Sequence, residues 1–334
     1  MTATGGPRPP TRASNRGALV TDPPSNTDPS RRTARLPAVD VVIATHARPE
    51  LVRTAVDAVM AQDYPGVLRC LVVHDRCEPD DSLVREGRRR SVEVLVNTCT
   101  PGLAGSRNTG ILAGAGDLVA FCDDDDVWFE DKVSRQVEEM ERTGALTSVT
   151  GIVVDYQDRR TTRIPRPEQM TVRELARHRV MAAHPSTVMV RRAALEGPIG
   201  LVDEDLPGSY AEDYDWILRA AGVGEVAVVE MGLVLVRWGS SQFARQWSVI
   251  VAALDHLLAK HTAFAEDPRA LGRIYGQRAF ALAASGDARA LAAAARAVRT
   301  WPWERRSYLA GAVALHLLSA DRVLDLANRR GRGI

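Results

Sequence analysis

The chain has 334 residues, 45% hydrophobic and 25% charged, with 43 basic and 42 acidic side chains and a formal net charge of +1. That length and apolar content suffice for one large or two ordinary cores, while the near-neutral balance lacks the concentrated basic excess of a nucleic-acid binder. No apolar leader marks the N-terminus and no apolar run approaches the roughly 20 residues of a spanning helix, so the sequence predicts a cytoplasmic protein. Cys70, Cys77, Cys99 and Cys122 lie in or beside apolar runs without Cys-x-x-Cys pairing. Buried free thiols are expected, not a zinc site or a disulfide framework.

Residues 1–36 are rich in Pro, Thr, Ser and Arg and show no apolar period. Such a composition buries too little surface to offset chain entropy, which predicts a disordered tail. Order is expected from Val39. Val39-Asp40-Val41-Val42-Ile43-Ala44 is a β-branched run, Pro49 suits a first helical turn, and Leu51, Val52, Ala55, Val56 and Val59 recur at helical spacing. Further strands are predicted over 68–73, 92–96 and 118–122, with a helix over 107–113. This alternation predicts an α/β fold, a Rossmann-like, mainly parallel sheet between helices, whose ligands bind at strand carboxyl ends. Chemistry is therefore expected just after Ala44, Val73, Val96 and Cys122. Strand-like runs over 148–156, 187–190 and 226–236, with a helix over 213–221, point to an α+β second half for a second substrate. From 246 the sequence is rich in Ala and Leu, and Gly286-Asp287 divides two amphipathic stretches, which predicts a helical hairpin. The expected division is a tail at 1–36, a domain at 37–245 (halves 37–145 and 146–245) and an α-helical extension at 246–334.

Asp123-Asp124-Asp125-Asp126 follows the apolar run Val119-Ala120-Phe121-Cys122 directly. Four adjacent carboxylates repel one another, most strongly where water is restricted. A divalent cation such as Mg²⁺ or Mn²⁺ relieves that conflict, because it favours carboxylate and phosphate oxygens. In an extended segment Asp123 and Asp125 point one way and Asp124 the other. A solvated acidic turn is the plainer alternative. An EF-hand loop is excluded, since Trp128 stands at the sixth position and Ser134 at the twelfth.

Taken in order, these segments resemble glycosyltransferase family 2, the inverting enzymes of GT-A fold. Val41 to Arg48 is similar to the family's opening strand-turn-helix, with Ala44 where Pro is usual. Leu71-Val72-Val73-His74-Asp75 looks like its second strand, with His74 in place of the first of two acids. Gly102 to Gly110 resembles the Gly-x-x-x-Ala-Arg-Asn-x-Gly segment, and Tyr210-Ala211-Glu212-Asp213-Tyr214-Asp215-Trp216 its Glu-Asp motif. The resemblance implies a nucleotide-sugar donor gripped by Thr45, Arg48, Asp75, Arg107, Asp123 and Asp124. It places a divalent cation, Mn²⁺ or Mg²⁺, on Asp125 and Asp123. Asp75 would accept a hydrogen bond from uracil or thymine, favouring a UDP- or dTDP-sugar. Asp213 would be the acceptor-activating base with Glu212 beside it, although both acids also suit a helix N-terminus electrostatically. Arg237 and Trp238 fall where relatives cover the diphosphate. His184 could meet the acceptor or be an ordinary turn histidine.

The implied activity is transfer of a sugar to a hydroxyl of a glycan or lipid-linked acceptor in surface glycan synthesis. Two alternatives remain: a non-catalytic nucleotide-sugar binder and a sugar-phosphate nucleotidyltransferase. The latter needs a Gly-rich N-terminal phosphate loop, which the segment after Ile43 lacks. Arg296, Arg299, Trp301, Trp303, Arg305 and Arg306 form a basic-aromatic cluster, either a membrane-interface contact at the inner face or a helix packing corner.

Overall fold

The computed structural model describes residues 35–156, 159–237 and 246–329. The first half reads β1 (Val39–Thr45), α1 (Pro49–Met60), β2 (Leu68–His74), β3 (Arg90–Val96), α2 (Leu103–Ala113) and β4 (Leu118–Asp123). After β5 (Val127–Trp128) come α3 (Lys132–Thr143), β6 (Thr147–Tyr156), β7 (Arg159–Arg163), α4 (Val172–Arg177), β8 (Met189–Arg191), α5 (Arg192–Leu195), α6 (Glu212–Val223) and β9 (Val226–Arg237). The strands form one mixed sheet in the order β3-β2-β1-β4-β8-β6-β9-β5, with β7 paired to β6. β1 is parallel to both β2 and β4, and β2 to β3, so four strand ends open on one edge.

The sheet is buried on both faces, as continuous β-branched strands require. Val41 and Ile43 face a core with Val52, Val56, Val133 and Met140 from α1 and α3. Val42, one residue out of phase, faces the opposite core with Ile111, Phe121, Trp216 and Ile217. A Cβ on Gly110 would lie 2.4 Å from Val42 Cγ1, so the glycine lets α2 lie close on β1.

Three expectations need correction. The predicted strand over 187–190 is shorter: residues Pro185–Thr187 form a single 3₁₀ turn, because Pro185 starts it, and β8 begins only at Met189. Cys77 and Cys99 are half-buried in loops, and only Cys70 and Cys122 are buried. Among the described residues the C-terminal region is five α-helices, not a hairpin: α7 (Trp247–Lys260), α8 (Pro268–Ala284), α9 (Ala290–Thr300), α10 (Arg305–Ala314) and α11 (Ala320–Arg329). Gly286 does separate α8 from α9 with φ +74°, and further breaks follow at Trp301-Pro302, where proline ends α9, and at Leu315. Ile250, Leu254, Leu257 and Ile274 of α7 and α8 join the same core as Phe121 and Trp216. Among the described residues, no helix is long and apolar enough to cross a membrane.

Candidate active site

The four parallel strands end together, and each end contributes a polar side chain. β4 runs directly into the acidic segment, which is a turn and not the extended strand expected. Asp126 N donates to Asp123 O (3.2 Å), closing a four-residue turn. The turn abolishes strict alternation and sends the four carboxylates to different partners. Asp124 is buried and accepts from Thr45 Oγ1 (2.8 Å) and Arg48 Nη1 (3.0 Å) at the end of β1. Asp125, the most exposed of the set described by its ion pairs, takes the same Arg48 nitrogen at 3.1 Å. Burial raises the proton affinity of both, and Arg48 only partly offsets it.

Asp126 turns inward. It accepts from Ser186 Oγ (2.5 Å), while Asp123 N donates to that same hydroxyl (2.9 Å). His184 lies at the head of the same turn, with Nδ1 3.4 Å from Asp126 and Nε2 3.7 Å from Asp123. Ligand atoms of Asp123, Asp126 and His184 all lie within 4.8 Å of one another. Burial, with Asp123 beside it, pushes the Asp126 carboxyl up to about 7 despite His184. Two carboxylates and an imidazole match the ligand preferences of Mn²⁺, and a cation would relieve the crowding that raises these carboxyls. The donor set therefore fits a divalent ion.

At the end of β2, Asp75 Oδ1 accepts from Asn97 Nδ2 (2.9 Å) and Gly102 N (3.1 Å), and Oδ2 from Arg76 Nε (2.9 Å). Burial opposes ionisation, but these donors outweigh it and hold Asp75 below the usual carboxylate range. His46 Nδ1 donates to Asp75 O (2.6 Å), tying β1 to β2.

Arg107, on α2 and almost wholly buried, joins the two halves. Its Nη2 donates to Asp123 Oδ1 (2.7 Å) and its Nη1 to Glu212 at the start of α6. Burial, with Asp213 and Asp123 nearby, pushes Glu212 up to about 7 against the pull of Arg107. Asp213, the next residue, is half-buried, with 16% of its side chain exposed. Desolvation alone would raise it, yet Arg179 Nη2 binds both its oxygens (2.9 and 2.8 Å) and holds it below its ordinary value.

Contacts thus join Thr45, Arg48, Asp124 and Asp125 in one set and Arg107, Asp123, His184 and Glu212 in a second, the two meeting along the acidic turn, while Asp213 follows Glu212 in the chain and pairs with Arg179. Arg237 ends β9, opposite Asp155 of β6. No hydrogen bond or ion pair joins Arg237 to the acidic turn among the described residues. Trp238 lies outside them. Ser186 and Arg179 were not singled out from sequence. The adjacency of Ser186 to His184-Pro185 was the one available signal, and Arg179 is one arginine among many.

Comparison with known proteins decides the family. Residues 40–197 match the model of glycosyl transferase family 2. The chain carries a glycosyltransferase family 2 domain. A UDP-Glc:alpha-D-GlcNAc-diphosphoundecaprenol beta-1,3-glucosyltransferase, WfgD of Escherichia coli, is 20% identical over 66% of this chain and 88% of its own length. The succinoglycan biosynthesis protein ExoO of Rhizobium meliloti is 30% identical over 39% of this chain and 37% of its own. Among solved structures, S. aureus TarS 1-349 in complex with UDP-GlcNAc has a TM-score of 0.56 at 15% identity, covering 88% of this chain and 92% of that one. The mannosyltransferase PcManGT of Pyrobaculum calidifontis, in complex with GDP-Man and Mn²⁺, has a TM-score of 0.52 at 19% identity, covering 86% and 82%. These likenesses show the GT-A fold: a mostly parallel sheet flanked by helices, followed by a helical C-terminal part.

Proposed function

We propose that this glycosyltransferase moves a sugar, with inversion and with a divalent cation, from a UDP- or dTDP-sugar to a hydroxyl of a lipid-linked or glycan acceptor at the cytoplasmic face of a membrane. The observation that carries the reading is Arg107, which ties the acidic turn on the donor side to the Glu212-Asp213 pair on the acceptor side. Donor charge and acceptor base then lie across one small cleft. UDP in the name of WfgD and in the TarS complex supports a uridine donor.

Asp123, Asp126 and His184 would hold the cation, with Asp125 on the solvent side reaching it or the diphosphate. When bound, the ion neutralises charge that develops on the departing diphosphate. Arg48, partly exposed beside Asp124 and Asp125, is a cation placed to hold and orient that diphosphate, and Arg107 fixes Asp123 next to it. Asp213 accepts the proton of the acceptor hydroxyl as its oxygen bonds to the anomeric carbon. The bond from that carbon to the diphosphate breaks, and the nucleoside diphosphate leaves with the electron pair. Glu212, held by Arg107, fixes the first turn of α6 and so the place from which Asp213 acts.

The C-terminal helices supply the membrane contact in this reading. Trp301 packs inward under Arg269, ring centroid to guanidinium 5.1 Å, whereas Trp303 is 79% and Leu317 72% exposed. Arg299 and Arg305 are exposed beside them without a carboxylate partner among the described residues.

Asp213→Asn tests the reading. Donor binding should persist while release of nucleoside diphosphate in the presence of acceptor falls by about 10²- to 10⁴-fold. Near-normal turnover would remove Asp213 from the role of base.

A further inference from the structure

The proposed base is already occupied. Arg179 stands on the segment between α4 and the Pro185–Thr187 turn, and a single nitrogen, Nη2, binds both oxygens of Asp213. The Arg179 side chain keeps 32% of its surface in water. Its Nε and Nη1 donate to no described residue, so three of its five N–H groups have no hydrogen-bond partner among the described residues. The same short segment ends in His184, beside the acidic turn. Arg179, His184 and Asp213 line one small cavity, about 30 Å³, room for a water and too small for a sugar. An acceptor hydroxyl that reaches Asp213 therefore meets the Arg179 guanidinium already bonded to both oxygens.

A guanidinium locked on a carboxylate makes that carboxylate a poorer base. The arrangement makes chemical sense if the acceptor itself removes the arginine. We infer that Arg179 is an anion contact for the acceptor: a phosphate on the acceptor saccharide takes the guanidinium from Asp213 and frees it as the hydroxyl arrives. The inference rests on reading Asp213 as the base. Arginine suits this exchange because its fork pairs carboxylate and phosphate with equal geometry. A neutral acceptor offers no replacement anion and leaves the base clamped, so the contact selects phosphorylated acceptors as well as binding them. The phosphate could belong to a free sugar phosphate or to a lipid-linked diphosphate.

Calorimetric titration of inorganic phosphate into the full-length protein tests this without any turnover. Wild type is compared with Arg179→Gln, Arg179→Lys, Asp213→Asn and Arg48→Gln, in chloride buffer without divalent cation. Arg179→Gln should weaken binding by about tenfold, the worth of one charge-assisted contact, and Arg179→Lys should restore part of it. Asp213→Asn should tighten binding by about threefold or more, because the internal competitor is gone. Affinity unchanged in both Arg179→Gln and Asp213→Asn overturns the inference, including where Arg48→Gln alone weakens binding and so assigns the phosphate to the donor side. Glucose 1-phosphate and geranyl diphosphate then replace the inorganic ion. Whichever binds more tightly with dependence on Arg179 identifies the source as soluble or lipid-linked. Turnover retained by Asp213→Asn would sink the base assignment while leaving the phosphate result standing, so the two failures are separable.

Discussion

Arg107 and Glu212 form a buried ion pair 105 residues apart in sequence, from the middle of α2 to the first turn of α6. Both side chains are about 4% exposed, and the other arm of Arg107 holds Asp123. Removing one member of a buried pair strands a charge that water cannot reach. Arg107→Met should cost about 3–5 kcal/mol of stability. The double variant Arg107→Met/Glu212→Gln should recover part of that loss. Urea unfolding of the four members of the cycle checks it, and a double variant as unstable as the sum of the single ones would show that the two residues are not coupled.

Cation binding should depend on the turn that carries His184 as much as on the acidic turn. His184→Gln and Asp126→Asn are each expected to weaken Mn²⁺ binding by about 10- to 100-fold, read by calorimetry or electron paramagnetic resonance. Asp124→Asn should do less, because Thr45 and Arg48 already claim that carboxylate. A larger effect of Asp124→Asn than of Asp126→Asn would refute this division.

Lys132 gives a pH dependence of stability. It is fully buried at the start of α3, with Nζ 2.6 Å from Gln136 Oε1 and 3.7 Å from the Trp128 ring centroid. Burial lowers it from 10.5 to about 7. Between those values the unfolded chain holds a proton that the folded chain does not, so stability rises with pH across this window. Below about 7 both states are protonated and the desolvation cost is fully present. Lys132→Met removes this contribution. Relative to that variant, wild type should gain up to about 1.4 kcal/mol per pH unit between pH 7 and pH 9, measured from urea midpoints. Parallel curves for the two proteins would contradict the assignment.

Flotation with phosphatidylglycerol vesicles tests the C-terminal surface. Replacing exposed Arg299 and Arg305 by Gln should weaken binding by roughly fivefold each. Trp303→Ser should weaken it further, whereas binding equal to wild type in the triple variant would assign the cluster to solvent.

Much of the fold was legible because its signals are local. β-branched runs over β1, β2 and β4, the helical spacing of Val52, Ala55, Val56 and Val59, and the abrupt join of Phe121-Cys122 to four aspartates each need only neighbouring residues. The helical C-terminal region was harder. α9 and α10 are short; Pro302 and the capping Glu304 mark the break between them locally, and the packing of Trp301 against Gly272 holds that corner.

The sequence by itself determined the strand ends where chemistry sits and the residue types gathered there, since motif order and apolar period are properties of the chain. Only the tertiary structure decided the partners. A four-residue turn replaced the expected Asp123/Asp125 alternation and sent Asp126 inward to Ser186 and His184. Arg107 reached Glu212, and Arg179 closed on Asp213, across separations of 105 and 34 residues. Such pairings depend on which strand ends and loops the folded sheet brings together, and no local pattern encodes that distance.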